Sequence, residues 1–247
     1  MKAQDIKLLI AEDDETFRKT ICDLFSLFNF SVVGVGDGLA AWDMLQKFQY
    51  DIVISDLRMP HLNGFELLNK VKAQNSNFPK FFMITGFTDY TVVDLYAAGV
   101  DGFFSKPFDA AEVRKCIARA LVAPAERWSN SIDVPPGIQR LARKFSAFET
   151  ATVNSEISFG RQGFFMPLAG YPPKPGELIH IDFTFGEGND QLIMTGLGRL
   201  VFEIEKSKGH PVKGIGVEIV KLNSKAIARI TEHLSIKLPT ASIPKSV

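Results

Sequence analysis

Short apolar stretches alternate with segments of helical period five times within the first 123 residues, and few folds admit that alternation. Residues 6–11, 31–35, 51–55, 81–84 and 102–105 read as strands, most of them apolar enough to be covered on both faces. Between and after them, apolar residues recur at one-turn spacing: Phe17, Ile21, Leu24, Phe25 and Phe28, then Ala40, Ala41, Met44, Leu45 and Phe48, then Phe65, Leu68 and Val71. Val92, Val93, Tyr96 and Ala97 mark a fourth helix, and Val113, Cys116, Ile117, Ala120 and Leu121 a fifth. Strands joined through helices give a parallel sheet with right-handed crossovers and helices on both faces. The expected fold is therefore a five-stranded, doubly wound α/β domain over residues 1–122, whose working edge lies at the carboxyl ends of its strands.

The residues at that edge carry chemistry. Glu12, Asp13 and Asp14 follow strand one, Asp56 follows strand three, Thr85 strand four, and Lys106-Pro107 strand five. Asp14 and Asp109 are expected to cap helices. The remaining carboxylates repel one another unless a cation lies between them. Hard oxygen ligands, few in number, suit Mg²⁺, which keeps waters and accepts a phosphoryl oxygen. A carboxylate beside that ion can act as a nucleophile toward phosphorus, with Lys106 offsetting charge on the transferred group.

This constellation resembles the receiver domain of bacterial two-component response regulators. The resemblance implies that Glu12 and Asp13 hold Mg²⁺ together with Asp56 and the backbone carbonyl of Arg58. It also implies that Asp56, in Asp56-Leu57-Arg58-Met59-Pro60, accepts a phosphoryl group. By the same resemblance Thr85 would be the switch hydroxyl, Phe103 the switch aromatic, and Lys106 the active-site lysine before a cis proline. The implied partner is a histidine kinase or phosphotransfer protein, and the surface bearing Tyr90, Val93, Asp94 and Ala97 would meet an output partner or a second copy of the chain. Two departures stand out. Gly86 occupies a position where alanine is usual and widens access to the phosphoryl group, and Phe103 lacks a tyrosine hydroxyl.

The second half has a different texture. Ten of the 13 prolines and 12 of the 19 glycines follow residue 123, and residues 123–136 read as a linker. Ile138, Leu141, Ala142, Phe145 and Phe148 have helical spacing, so a connecting helix is expected there. Strands are expected at 151–157, 164–166, 178–185, 192–203 and 214–220, with turns at 169–176, 186–190 and 206–211. A closing helix would carry Ile227, Ile230, Leu234 and Leu238. Residues 137–247 then form a small antiparallel β-barrel with flanking helices. The pattern resembles the PilZ domain in Glu156-Ile157-Ser158 before Gly163-Phe164-Phe165, in Pro175-Gly176, in Gly198-Arg199-Leu200-Val201 and in Gly214-Ile215-Gly216-Val217-Glu218-Ile219. That family is known for cyclic di-GMP receptors with an Arg-x-x-x-Arg arm and an Asp/Asn-x-Ser-x-x-Gly turn. Here the arm is reduced to Arg140 and Lys144. The turn, anchored on Gly163, has Ser158 and Gly160 at its acid or amide and serine positions; anchored on Glu156-x-Ser158 it has two extra residues. Lysine cannot stack and fork as arginine does. Cyclic di-GMP binding is therefore not expected, and Arg140, Arg143 and Lys144 read as the solvated face of a helix.

Composition closes off other classes. Across 247 residues, 28 basic and 28 acidic side chains cancel, unlike the basic balance of a typical nucleic-acid binder. No apolar run reaches the roughly 20 residues of a membrane span, and no secretory leader is legible. Cys22 and Cys116 are expected to be buried thiols, and His61, His180, His210 and His233, lacking metal spacing, to be solvated. The chain thus reads as a cytoplasmic, non-enzymatic bacterial response regulator with a degenerate PilZ-like output domain working through protein contacts. Its alternatives are a cyclic di-GMP effector that integrates phosphorylation, and a static adaptor that is never phosphorylated.

Overall fold

A computed structural model describes residues 6–86, 90–129, 136–154, 156–167, 174–188, 191–204, 213–236 and 241–244. The chain divides into two compact units, Met1–Leu121 and Val122–Val247.

The first unit runs β1 (Lys7–Ala11), α1 (Glu15–Leu27), β2 (Ser31–Val35), α2 (Gly38–Lys47), β3 (Ile52–Ser55), α3 (Gly64–Gln74), β4 (Lys80–Thr85), α4 (Val92–Ala98), β5 (Gly102–Ser105) and α5 (Ala110–Leu121). All pairings are parallel, in the order β2-β1-β3-β4-β5. Alternate strand residues face opposite layers. Leu8, Ile10, Ile52, Ile54, Phe82 and Ile84 pack under α1 and α5 through Ile21, Phe25, Val113 and Ile117. Leu9, Ala11, Val53, Phe81 and Met83 pack under α2, α3 and α4 through Ala41, Leu67, Leu68, Val71 and Leu95. The expected doubly wound domain is the observed one. Cys22 and Cys116 lie half-buried as free thiols against the first of these layers. Asp14 caps α1 by accepting from the Phe17 amide, and the Asp109 carboxylate accepts from the Ala111 amide at the start of α5.

The second unit runs α6 (Pro124–Arg127), β6 (Gln139–Phe145), α7 (Phe148–Val153), β7 (Ser158–Phe159), β8 (Gly163–Pro167), β9 (Leu178–Phe185), β10 (Leu192–Ile204), β11 (Gly214–Leu222) and α8 (Ser224–Ile236). The sheet order is β6-β9-β10-β11-β8-β7. It is antiparallel except for the β6–β9 pair, and it curls as a half-barrel rather than the expected antiparallel barrel. Phe148 of α7 packs against Phe159 at one edge and against Phe185 toward the other, so α7 fills the mouth of the curl. Ala226, Ile227, Ile230 and Leu234 bury α8 in the same core.

Two expectations fail here. Residues 138–148 do not form a helix: 139–145 are an edge strand on β9, with the helical turn beginning only at Phe148. The strand expected at 151–157 is not found among its described residues: Ala151, Thr152 and Val153 close α7, with Ala151 buried. Strands β8, β9, β10, β11 and helix α8 appear where expected. The turn at 206–211, Leu238 and His210 lie outside the described residues, as does the middle of the linker.

Candidate functional site

Glu12 and Asp13 leave β1, Asp56 leaves the neighbouring β3, and Lys106 leaves β5 on the far side of β4, so the parallel strand ends deliver all four to one crevice. The carboxylate oxygens of Glu12, Asp13 and Asp56 lie within 4.8 Å of one another. Glu12 and Asp56 are buried, whereas Asp13 is exposed. The Lys106 ammonium donates to Asp56 Oδ2 at 2.6 Å and to Glu12 Oε2 at 2.8 Å. Asp56 Oδ1 accepts from the Leu57 amide at 2.5 Å and the Arg58 amide at 3.2 Å. Both Asp56 oxygens are thus held by donors, which fixes the carboxylate before any reaction.

Burial pushes the Glu12 carboxyl above its ordinary 4.5, with the Asp56 charge adding and the Lys106 hydrogen bond opposing. For Lys106, burial alone acts downward, but hydrogen bonds and charges from Asp56 and Glu12 outweigh it and carry the amine above 10.5. Three carboxylates against one ammonium leave two negative charges, which a divalent cation balances. Oxygen donors in a partly buried, partly open crevice suit Mg²⁺ with retained waters.

Thr85 ends β4 and is buried, and the Lys106 amide donates to its carbonyl at 2.8 Å. Phe103 sits opposite Met83 in the β4–β5 register, half-buried beside the layer that holds Leu95 and Val100. The Lys106-Pro107 peptide is cis. Two residues were missed from sequence. The Arg18 guanidinium donates to the Glu12 carbonyl at 2.6 Å and the Asp13 carbonyl at 3.3 Å, clasping the acidic loop from α1. The Phe17 ring lies 4.3 Å from the Lys106 ammonium. Phe17 reads from sequence as ordinary core, and Arg18 has no sequence signal because its acceptors are backbone carbonyls.

The second unit does not gather its sequence-predicted residues. Arg140 and Lys144 lie exposed on β6, where four residues span roughly 13 Å rather than one helical turn. Arg140 pairs instead with Asp182, and Arg143 donates to the Pro167 carbonyl at 2.8 Å. These cations therefore line a strand, correcting the expected helix face. Ser158 is paired opposite Phe165 on β7, at the other end of the sheet order. Gly163 is required by packing: a Cβ there would fall 1.9 Å from the Val217 carbonyl oxygen. Among the described histidines, His61 is exposed as expected, whereas His180, with its Nδ1 buried, and His233, edge-on to Phe148 and Phe159, are half-buried. No described helix is long and apolar enough to cross a membrane.

An acid-lined crevice bridged by lysine stands at the strand ends of a five-stranded parallel sheet. Among known proteins, residues 8–118 match the response regulator receiver domain. The chemotaxis protein CheY-3 of Vibrio cholerae is 30% identical over 115 residues, spanning 45% of this chain and 88% of that protein. The DNA-binding transcriptional regulator NtrC of a Bradyrhizobium species is 31% identical over 126 residues, 51% of this chain but 26% of that protein. The 3',5'-cyclic-nucleotide phosphodiesterase regA of Dictyostelium discoideum is 31% identical over 121 residues, 47% of this chain and 15% of that protein. Among solved structures, Vibrio cholerae CheY4 matches with a TM-score of 0.43 at 29% identity, covering 47% of this chain and 98% of that one. The chain belongs to the response regulator receiver family of two-component signalling, whose acidic pocket binds Mg²⁺. The chain spans about a quarter of the length of NtrC and less of regA, 26% and 15%.

Proposed function

We propose that the chain is a phosphorylation-driven response regulator in which Asp56 accepts a phosphoryl group from a histidine kinase or phosphotransfer protein. The observation that carries this reading is the bifurcated Lys106 ammonium, bound at once to Asp56 and Glu12. An Asp56 carboxylate oxygen forms the new bond to phosphorus as the bond from phosphorus to the donor breaks. Glu12, Asp13, Asp56 and the Arg58 carbonyl would hold Mg²⁺, which when bound would supply positive charge near the phosphoryl oxygens. Lys106 follows the developing charge, Arg18 keeps the acidic loop in place, and Thr85 donates its hydroxyl to the acyl phosphate. Phe103 then moves with the loop after β4 and reshapes the α4–β5 surface bearing Tyr90, Val93, Asp94 and Ala97. Incubation with acetyl phosphate and Mg²⁺ is expected to add one phosphoryl group by intact-mass spectrometry, and Asp56→Asn to abolish it. An unmodified wild-type chain would remove the reading.

The second unit, residues 137–247 after a linker at 123–136, serves as a degenerate PilZ-like output module acting through protein contacts. Separation of Arg140 from Lys144 along a strand and the engagement of Arg140 by Asp182 support contacts over nucleotide capture. The expected result is no calorimetric response to low-micromolar cyclic di-GMP. A saturable sub-micromolar signal lost in Arg140→Ala would promote the second-messenger effector instead.

A further inference from the structure

The turn between β7 and β8 is covered by a distant piece of the chain. The Arg161 amide donates to the Ala241 carbonyl at 3.2 Å and the Gln162 amide to the Ser242 carbonyl at 2.8 Å. The Arg161 guanidinium donates to Ser242 Oγ at 2.8 Å. Arg161, Gln162 and Ser242 are buried, and Ile243 has no exposed surface at all. The chain bends at Ser242 and Ile243, and Pro244 disfavours helix at Ile243.

Gly160 sets the fit. A Cβ there would fall 2.6 Å from the Ser242 carbonyl oxygen, 2.8 Å from that of Ala241 and 2.8 Å from Pro244 Cδ. The segment therefore reaches the turn only because residue 160 has no side chain. In the nucleotide-binding pattern Gly160 stands where a serine is expected; here the missing side chain makes room for a peptide.

We propose that the turn Gly160–Arg161–Gln162 is a binding seat for a short peptide segment, filled by the chain's own Ala241–Pro244. Recognition divides as in other peptide sites: backbone hydrogen bonds give affinity and a buried side chain gives selectivity. Here two successive amides read carbonyls, Arg161 reads the serine hydroxyl, and Ile243 is the apolar anchor. The segment behaves as a ligand carried in cis, so a vacated seat accepts the same sequence in trans. This goes beyond the receiver chemistry and does not depend on it.

The test uses the full chain. Ile243→Asp is expected to speed amide exchange at Arg161 and Gln162 at least tenfold while β9, β10 and β11 keep their protection. A fluorescent peptide of residues 237–247 should then bind that variant saturably and bind wild type at least tenfold more weakly. Gly160→Ser should speed the same two amides and leave the peptide unbound. Unchanged exchange in both variants, or no peptide binding to Ile243→Asp, overturns the proposal. Loss of protection throughout β9, β10 and β11 also overturns it, because the segment would then be core rather than ligand. Protection at Arg161 and Gln162 that rises with protein concentration would place a second copy's segment in the seat and overturn filling in cis.

Discussion

At Lys106 one ammonium faces three carboxylates, and that imbalance prepares the site for a cation. The folded pKa of Lys106 lies above 10.5, so its ion pairs contribute stability that is complete below pH 10.5 and lost as pH rises through the folded value. Thermal melts of wild type and Lys106→Met from pH 8 upward should therefore show a gap that closes above pH 10.5. Glu12 has the same sense in a lower range: burial raises its carboxyl above 4.5, so its contribution to stability is greatest below pH 4.5 and is lost as pH rises through the folded value, while Mg²⁺ binding weakens as pH falls toward that range. Arg18→Ala should weaken Mg²⁺ binding several-fold in a fluorescence titration, with little change in melting temperature, because it frees the two carbonyls that frame the acidic loop. Gly86 has nothing within 4 Å of its Cβ position. Gly86→Ala should fold normally and slow both gain and loss of the phosphoryl group, as read by intact mass over time.

Individual elements show what a sequence displays and what it hides. The first unit was legible because each strand is short and apolar, and each helix carries its cap: Asp14 for α1, Asp37 for α2 and the reciprocal Asn63–Glu66 box for α3. Asn63→Ala should cost about 1 kcal/mol in chemical denaturation. The site followed from the sheet, since parallel register aligns strand ends and the acids, hydroxyl and lysine sit at those ends. β6 was illegible for a geometric reason. Leu141 and Phe145 are four residues apart, which is one helical turn and also two strand pleats, and the half-buried Arg143 between them hid the alternation. α7 was misread because Thr150, Thr152 and Val153 favour strands. Burial of Phe148 and Ala151 in the mouth of the curled sheet overrides that preference. No periodicity announces the pairing of Arg161 with Ser242, 81 residues away.

Across the molecule, a receiver unit whose acids, lysine and metal chemistry follow its family is joined to a unit whose sheet is partly mixed and whose candidate nucleotide residues are dispersed. A phosphoryl group adds about −1.5 to −2 charge at the strand ends. The resulting shift can be no larger than the difference in affinity between the two states of the receiver. The direct measurement is hydrogen exchange of the full chain with Mg²⁺, with and without beryllofluoride, alongside Asp56→Asn. The account predicts altered protection across β4, α4 and β5 in wild type and none in Asp56→Asn. Identical protection in wild type with and without beryllofluoride would contradict it and leave a static adaptor.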